Sequence, residues 1–183
     1  VTELRDFARY MPGEKMTLID ANAVVKSAII LVSNMIQKST DHLSVEYGTN
    51  LPPVLGNFQR VEQVVINLIQ NACRSLPSHD KGIYVATSYA PESNALIIEV
   101  RDEGVGIPEA DVQHLGDPFF TTRRAEGGTG LGLWVSFNIV HEHDGTLRFH
   151  SKPGEGTRAV LSLPAAEQQG FMQVADSTWE EEI

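Results

Sequence analysis

Three polar residues, Asn67, Asn71 and Arg74, follow one another at helical spacing and could handle a metal-bound phosphate group. Positions i, i+4 and i+7 lie on one helix face. An apolar stripe fills the opposite face, so the polar face is predicted to line a site. The amide oxygen of Asn71 could bind Mg²⁺, a hard cation that prefers oxygen ligands and keeps several waters, and Arg74 could pair with a phosphate. Taken alone, these residues are also typical of a solvated helix surface.

A carboxylate at the end of a predicted strand could recognise a base. Asp102 ends that strand and is followed by Gly104, Gly106 and Ile107. A carboxylate can accept a hydrogen bond from the exocyclic amine of adenine, worth roughly 1.5–3 kcal/mol for a charged partner, and would repel the carbonyl of guanine. The glycines would let the backbone approach the base closely, with Ile107 as a wall. The alternative is an ordinary turn after a strand.

Two adjacent aromatic residues lie in a long stretch, residues 108–130, that shows too little periodicity for a core element. Long loops of this kind are usually functional. We interpret the stretch as a lid, with Phe119 and Phe120 as a latch that packs in one lid state. A loop packed on the core is the alternative. The groups suited to the outer phosphates are Thr121, Thr122, and Arg123 or Arg124.

A glycine-rich run continues directly into a predicted helix. Free backbone N–H groups and the helix dipole favour an anion at such a start. The run is not a Walker A loop, because no Gly-Lys-Ser/Thr follows, and its spacing does not fit a dinucleotide fingerprint. It is therefore predicted to cradle phosphates with Gly128, Thr129, Gly130, Leu131, Gly132 and Leu133.

These four motifs, in this order, resemble the N, G1, F and G2 boxes of the ATP-binding domain of sensor histidine kinases. That domain belongs to the superfamily of gyrase, Hsp90, histidine kinase and MutL type ATPases, and the resemblance covers residues 56–164. It implies ATP and Mg²⁺ as ligands, with Asn71 on the metal and Asn67, Arg74 and Arg123 as catalytic residues. It also places Thr157 near the aspartate and the adenine; an ordinary strand threonine is the alternative. The implied ATP-binding residues are Asn67, Asn71, Arg74, Asp102, Gly104, Gly106, Ile107, Phe119, Thr121, Thr122, Arg123, Gly128, Thr129, Gly130, Leu131, Gly132, Leu133 and Thr157.

The resemblance also implies the reaction. Hydrolases of this superfamily carry a glutamate general base four residues before the metal-binding asparagine, and this chain has Asn67 there. An amide cannot accept the proton as a carboxylate can, so transfer of the γ-phosphoryl to a histidine on a separate helical hairpin is favoured over hydrolysis. We expect no autophosphorylation of this chain alone, a homodimeric parent and a response regulator downstream. Two alternatives remain: the nucleotide-binding module of an inactive kinase, and a serine-directed relative.

Composition narrows the class further. The net charge of −10 argues against a nucleic-acid surface, and no apolar run approaches the roughly 20 residues of a membrane span. A single cysteine, Cys73, fits a reducing compartment. We therefore expect a cytoplasmic domain, whose parent could still be membrane-anchored. His141 and His143 are not expected to bind metal, because positions i and i+2 do not face together on a helix.

Three regions are expected along the chain: the end of a dimerisation and phosphoacceptor hairpin helix (1–13), the ATP-binding domain (14–164), and an acidic, disordered tail (165–183) that could alternatively be a docking peptide. The predicted fold is α+β, a two-layer sandwich in which helices cover one face of a mixed, mostly antiparallel sheet, with a flexible lid over the ATP. Predicted helices span 20–38, 58–76 and 131–141, and predicted strands span 43–47, 82–89, 95–101, 147–151 and 157–163.

Overall fold

The computed structural model of the chain describes residues 15–121 and 129–166. The helices of this part are α1 (Ala21–Leu31), α2 (Ser33–Ser39), α3 (Phe58–Ser75), α4 (Glu109–Val112) and α5 (Gly132–Glu142). Its strands are β1 (Thr17–Ile19), β2 (Leu43–Glu46), β3 (Val54–Gly56), β4 (Ile83–Ala90), β5 (Ala95–Asp102), β6 (Thr146–Lys152) and β7 (Gly156–Pro164), with a 3-10 turn at Pro91–Ser93.

The main sheet has five strands in the order β2-β4-β5-β7-β6. Only β2 and β4 run parallel; the other neighbours are antiparallel. Inward-facing residues of the central strands are buried under α3 and α5, while alternate residues point away from the helices. The predicted α+β sandwich, with helices on one face of a mixed and mostly antiparallel sheet, is confirmed.

Helix α3 is the central support of the helical layer. Asn57 caps its start, because the Asn57 side chain accepts a hydrogen bond from the backbone N–H of Arg60 at 3.0 Å. One face of the helix is a buried apolar stripe. Burying each large aliphatic side chain of this stripe contributes about 1.5–3 kcal/mol to the stability of the fold, so the stripe fixes the rotation of the helix about its axis. Its residues are Val61, Val64, Val65, Leu68, Ile69, Ala72 and Cys73.

The start of α3 is tied to the end of α5. The buried ring of His143 accepts a hydrogen bond at Nε2 from the backbone N–H of Asn57 (3.0 Å) and donates from Nδ1 to the carbonyl of Ile139 (2.7 Å). Beside it, Arg60 pairs with Glu142 at 2.9 Å. His143 is thus a structural residue whose two ring nitrogens are both used.

Several elements differ from the sequence-based expectation. The helix predicted over 20–38 is two helices, because the chain turns at the buried Val32. Leu31, the last residue of the first of these helices, is 63% exposed. Strands β1 and β3, which pair with each other, were not predicted, and α4 lies within the stretch expected to be a loop.

Two further observations bear on the expected regions. The packed chain continues past Pro164, since Ala165 is buried and its backbone N–H donates to Asn94 at 2.9 Å. The expected hairpin helix (1–13) and residues 167–183 of the expected tail lie outside the described residues. Among the helices that are described, none combines the length and the apolar character needed to cross a membrane.

Candidate functional site

A cavity of about 780 Å³ lies between α3, the sheet, α4 and the start of α5. It brings together residues from all four sequence motifs. Those predicted as site residues are Asn67, Asn71, Arg74, Asp102, Gly106, Ile107, Thr121, Thr129, Gly130, Gly132, Leu133 and Thr157.

Asp102 is the least exposed polar residue that lines the cavity. The residue is 6% exposed, and its Oδ1 accepts hydrogen bonds from the backbone N–H groups of Gly104 (2.8 Å) and Thr157 (3.3 Å). Asp102 and Thr157 are also direct partners in the β5–β7 register. Backbone donors compensate the carboxylate for lost solvation, so a charged acceptor can remain buried here.

A hydroxyl network holds the loop after Asp102 against the sheet. Ser151 on β6 lies within 2.9 Å of the Thr157 hydroxyl and donates to the carbonyl of Gly156 at 2.9 Å. The Ser151 oxygen also accepts from the backbone N–H of Ile107 at 2.8 Å. Ile107 is thereby fixed as a wall beside Asp102.

The two glycines of this loop approach protein atoms. A side chain at Gly104 would overlap the Ser75 hydroxyl, and one at Gly106 would overlap the carbonyl oxygen of Lys152. Gly106 also has a φ of +72°, which favours glycine. Gly104 does not line the cavity; its small size lets the loop close onto α3, where the N–H of Val105 donates to Ser75 O at 3.0 Å.

The polar face of α3 supplies the other end of the cavity. In the part of the chain that the structure describes, the side chains of Gln70, Asn71 and Arg74 line the cavity without a hydrogen bond or ion pair. Asn67 differs, since its amide donates to the carbonyl of Gly132 (3.1 Å) and to the hydroxyl of Ser136 (3.1 Å). Asn67 therefore links α3 to α5 at the cavity edge.

The start of α5 faces the same end. Among the residues that the structure describes, no side chain caps this helix, and Gly132 and Leu133 line the cavity. Gly130, at φ +70°, turns the chain into the helix, and its carbonyl accepts from the backbone N–H of Phe119 at 3.2 Å. A helix start of this kind presents backbone donors to an anion. Leu131 precedes the helix but does not line the cavity.

The aromatic pair of the predicted lid is split. Phe119 is 61% exposed and does not line the cavity, whereas Phe120 does, with its ring 5.7 Å from that of His114. Of this pair, Phe120 rather than Phe119 therefore contacts the site. Three other predicted site residues, Thr122, Arg123 and Gly128, lie outside the described residues.

Sequence reasoning missed several lining residues. Val100 lies two positions before Asp102, and Ala159 lies two positions after Thr157. The two residues pair with each other across the strands, so strand alternation could have found them. Phe149 pairs with Ala159 on the next strand. Ser75 and Leu115 had no local signal. The missed residues are Leu68, Gln70, Ala72, Ser75, Val100, Val105, Pro108, Asp111, Leu115, Phe149 and Ala159.

A second, smaller depression of about 390 Å³ lies behind Gly104 and Val105, between Lys81, Arg101 and Glu155. It is open, and it contains neither the Asp102 carboxylate nor the α3 amides. The larger cavity is therefore the candidate site.

Comparison with known proteins identifies the family. The family described as "Histidine kinase-, DNA gyrase B-, and HSP90-like ATPase" matches residues 56–167, which is more than half of the chain. The chain therefore belongs to this family, and the resemblance to the catalytic domain of sensor histidine kinases is confirmed.

Two relatives illustrate its place in the family. A putative sensor protein of Shewanella frigidimarina is 36% identical over 168 residues, which cover 92% of this chain and 25% of that protein. Sporulation kinase E of Bacillus subtilis is 33% identical over 141 residues, which cover 77% of this chain and 19% of that kinase. The chain thus spans a quarter or less of these two relatives.

Solved structures agree with the fold. The catalytic domain of histidine kinase ThkA superimposes with a TM-score of 0.73 at 25% identity, covering 84% of this chain and 100% of that domain. Full-length ShkA in complex with AMPPNP gives a TM-score of 0.77 at 20% identity, covering 90% of this chain and 35% of ShkA. At that identity, the second likeness shows the fold alone.

Proposed function

We propose that this chain binds ATP with Mg²⁺ in the larger cavity and donates the γ-phosphoryl group to a histidine on a separate helical hairpin. The parent protein would then be a homodimeric sensor kinase that passes the phosphoryl group to a response regulator. The observation that carries the proposal is a single cavity whose two ends carry different polar groups. Asp102 is buried at one, and the side chains of Asn71 and Arg74 line the other without partners among the described residues.

The Asp102 end fits adenine. A buried carboxylate can accept the exocyclic amine of adenine, and the apolar side chains around it can cover the ring faces. They come from Ile107, Val100 and Phe149. Guanine would place a carbonyl against the same carboxylate, so the proposal includes a preference for ATP over GTP.

The α3 end fits phosphates and a magnesium ion. Among the described residues no group of three or more His, Cys, Asp or Glu could hold a metal ion. A Mg²⁺ held by one amide oxygen of Asn71, the phosphates and several waters agrees with this, because Mg²⁺ keeps much of its water shell. The ion would neutralise charge on the phosphates. Arg74 and the uncapped start of α5 offer further donors to the phosphate oxygens.

The reaction is a phosphoryl transfer. The bond between the γ-phosphorus and its bridging oxygen breaks, a phosphorus–nitrogen bond forms at the acceptor imidazole, ADP leaves and the imidazole loses its N–H proton. Positioning and charge stabilisation carry most of such catalysis. Asn67 supports transfer over hydrolysis, because it has no basic oxygen to deprotonate water and its amide is engaged with Gly132 and Ser136.

A reconstituted pair tests this proposal. The chain is mixed with the phosphoacceptor hairpin of its parent and ATP labelled at the γ-position. We expect acid-labile, alkali-stable label on a histidine of the hairpin, and none on this chain alone. Asn71→Ala should abolish the transfer, whereas Gln63→Ala, an exposed residue of the same helix, should not. Label on a serine, or ATP binding without any transfer, would contradict the proposal and favour the serine-directed or inactive alternative.

A further inference from the structure

The face of the sheet that points away from the helices carries a concentration of positive charge. We call it the open face, formed by the outward residues of β5, β6 and β7. In the described part of the chain, its outward residues between 97 and 101, 148 and 152, and 158 and 162 are exposed or half-buried. Its cations are Arg101, Arg148, Lys152 and Arg158, all exposed, with His150 among them. This contrasts with the net charge of −10 of the whole chain.

The sheet register places these cations close together. Arg101 lies directly opposite Arg158, and Arg158 lies opposite His150 on the other side. Like charges directly opposite each other destabilise a sheet. In the described part of the chain, two carboxylates form ion pairs with them: Glu99 binds Arg158 at 2.7 Å, and Glu155 lies 3.5 Å from Lys152. Glu103 lines the same surface depression as Arg101. The side chains of Arg101 and Arg148 have no partner among the described residues.

The open face also offers apolar contact. Ile97 and Val160 are half-buried and point outward between the charged residues, and Val160 pairs with both Glu99 and Arg148. A surface of this kind suits a peptide that combines carboxylates with an aromatic side chain, because arginines can both pair with carboxylates and stack on aromatic faces.

Such a peptide occurs in this chain. Residues 167–183 contain Phe171 and Trp179, and no Lys or Arg. Their acidic residues account for half of the chain's net charge of −10 and are Glu167, Asp176, Glu180, Glu181 and Glu182.

The start of this segment lies within reach of the open face. The described chain ends at Ala166, just beyond β7. Arg158 lies six positions before Pro164 on that strand, about 20 Å away at the usual rise per residue. Residues 167–183 could extend up to roughly 55 Å, so their acidic end can reach every cation of the open face.

We propose that the open face is a docking surface for an acidic, aromatic-containing peptide, and that its occupant is residues 167–183 of the same chain. The docked segment covers the side of the sheet opposite the nucleotide cavity. It therefore leaves ATP affinity unchanged.

A spin label in the full chain tests this proposal. Ser177→Cys is labelled, while the buried thiol of Cys73, whose pKa burial raises, stays unreacted, so that each chain takes up one label. Amide signals of Arg148, His150, Arg158 and Val160 should lose intensity through paramagnetic broadening, and those of α1 and α3 should not. Reversing two positive charges of the open face with Arg101→Glu and Arg148→Glu should abolish the broadening. The matched pair Lys15→Glu and Lys38→Glu, exposed on other elements, should leave it intact.

Two results would overturn the proposal. One is broadening that is absent from the open face or unchanged by the Arg101 and Arg148 reversals. The other combines two findings: the tail does not contact the open face, and the open face binds vesicles of anionic lipid until the charges of Arg101 and Arg148 are reversed. That result would make the open face a membrane-facing surface.

Discussion

The two ends of the cavity are built differently. At the Asp102 end, the polar groups are held by the protein's own hydrogen bonds: Gly104 and Thr157 bind Asp102, and Ser151 binds Ile107. At the α3 end, the side chains of Asn71 and Arg74 have no partner among the described residues. In the mode of ATP binding that we propose, base recognition would therefore be pre-organised in the scaffold, and the ligand would complete the phosphate end.

The largest expected effect is a loss of stability when the loop at the pre-organised end is disrupted. Gly106→Ala combines a strained backbone with an overlap on the Lys152 carbonyl, so we expect a loss of about 2–4 kcal/mol in unfolding free energy. Gly154→Ala is the matched control, because Gly154 also has a positive φ but no atom within 4 Å of the added carbon. That control should lose only about 1 kcal/mol. Urea denaturation measures both, and equal losses would show that the close approach of the loop contributes nothing.

The next effect sharpens the contrast at the phosphate end. Arg74→Ala should weaken ATP binding by a few-fold, as expected for an exposed ion pair worth roughly 0.2–1 kcal/mol, and leave adenosine binding unchanged. Arg60→Ala removes the same side chain from the far end of α3, where it pairs with Glu142, and should change neither affinity. Parallel titrations with ATP and adenosine measure this. An equal loss for adenosine would mean that Arg74 acts on the base end or on the fold.

The smallest effect concerns the core side of α3, which faces neither end of the cavity. Burial raises the pKa of the Cys73 thiol, so the folded chain keeps this proton to higher pH than the unfolded chain does. The unfolding free energy should therefore be unaffected below about pH 8.5 and fall above it, by at most about 1.4 kcal/mol per pH unit. Cys73→Ala should remove this part of the fall. Identical pH profiles for both proteins would place Cys73 in contact with solvent.

Much of the cavity lining could be predicted because short sequence patterns indicate its residues. Helical spacing placed Asn67, Asn71 and Arg74 on one face, and a strand end followed by glycines placed Asp102. What could not be predicted depends on distant pairing. The three-residue strands β1 and β3 form by pairing with each other, and neither has a pattern of its own.

The remaining errors have the same origin. Ser75 reaches the cavity because the Gly104 loop folds against the end of α3, a contact that no spacing in the sequence reveals. The turn at Val32 depends on the burial of that side chain within the assembled helical layer. Local patterns therefore indicated which polar groups line the cavity, while tertiary packing decided which neighbours surround them.

The most direct test of the account is calorimetric titration of a non-hydrolysable ATP analogue, with Mg²⁺, into the chain and into Asp102→Asn. The substitution keeps the side-chain shape but removes the charge, so we expect roughly 10- to 100-fold weaker binding, equivalent to the 1.5–3 kcal/mol of a charged hydrogen bond. Glu103→Gln, the exposed neighbour outside the cavity, should bind as the unmodified chain does. Unchanged affinity in Asp102→Asn would contradict the placement of adenine at this carboxylate.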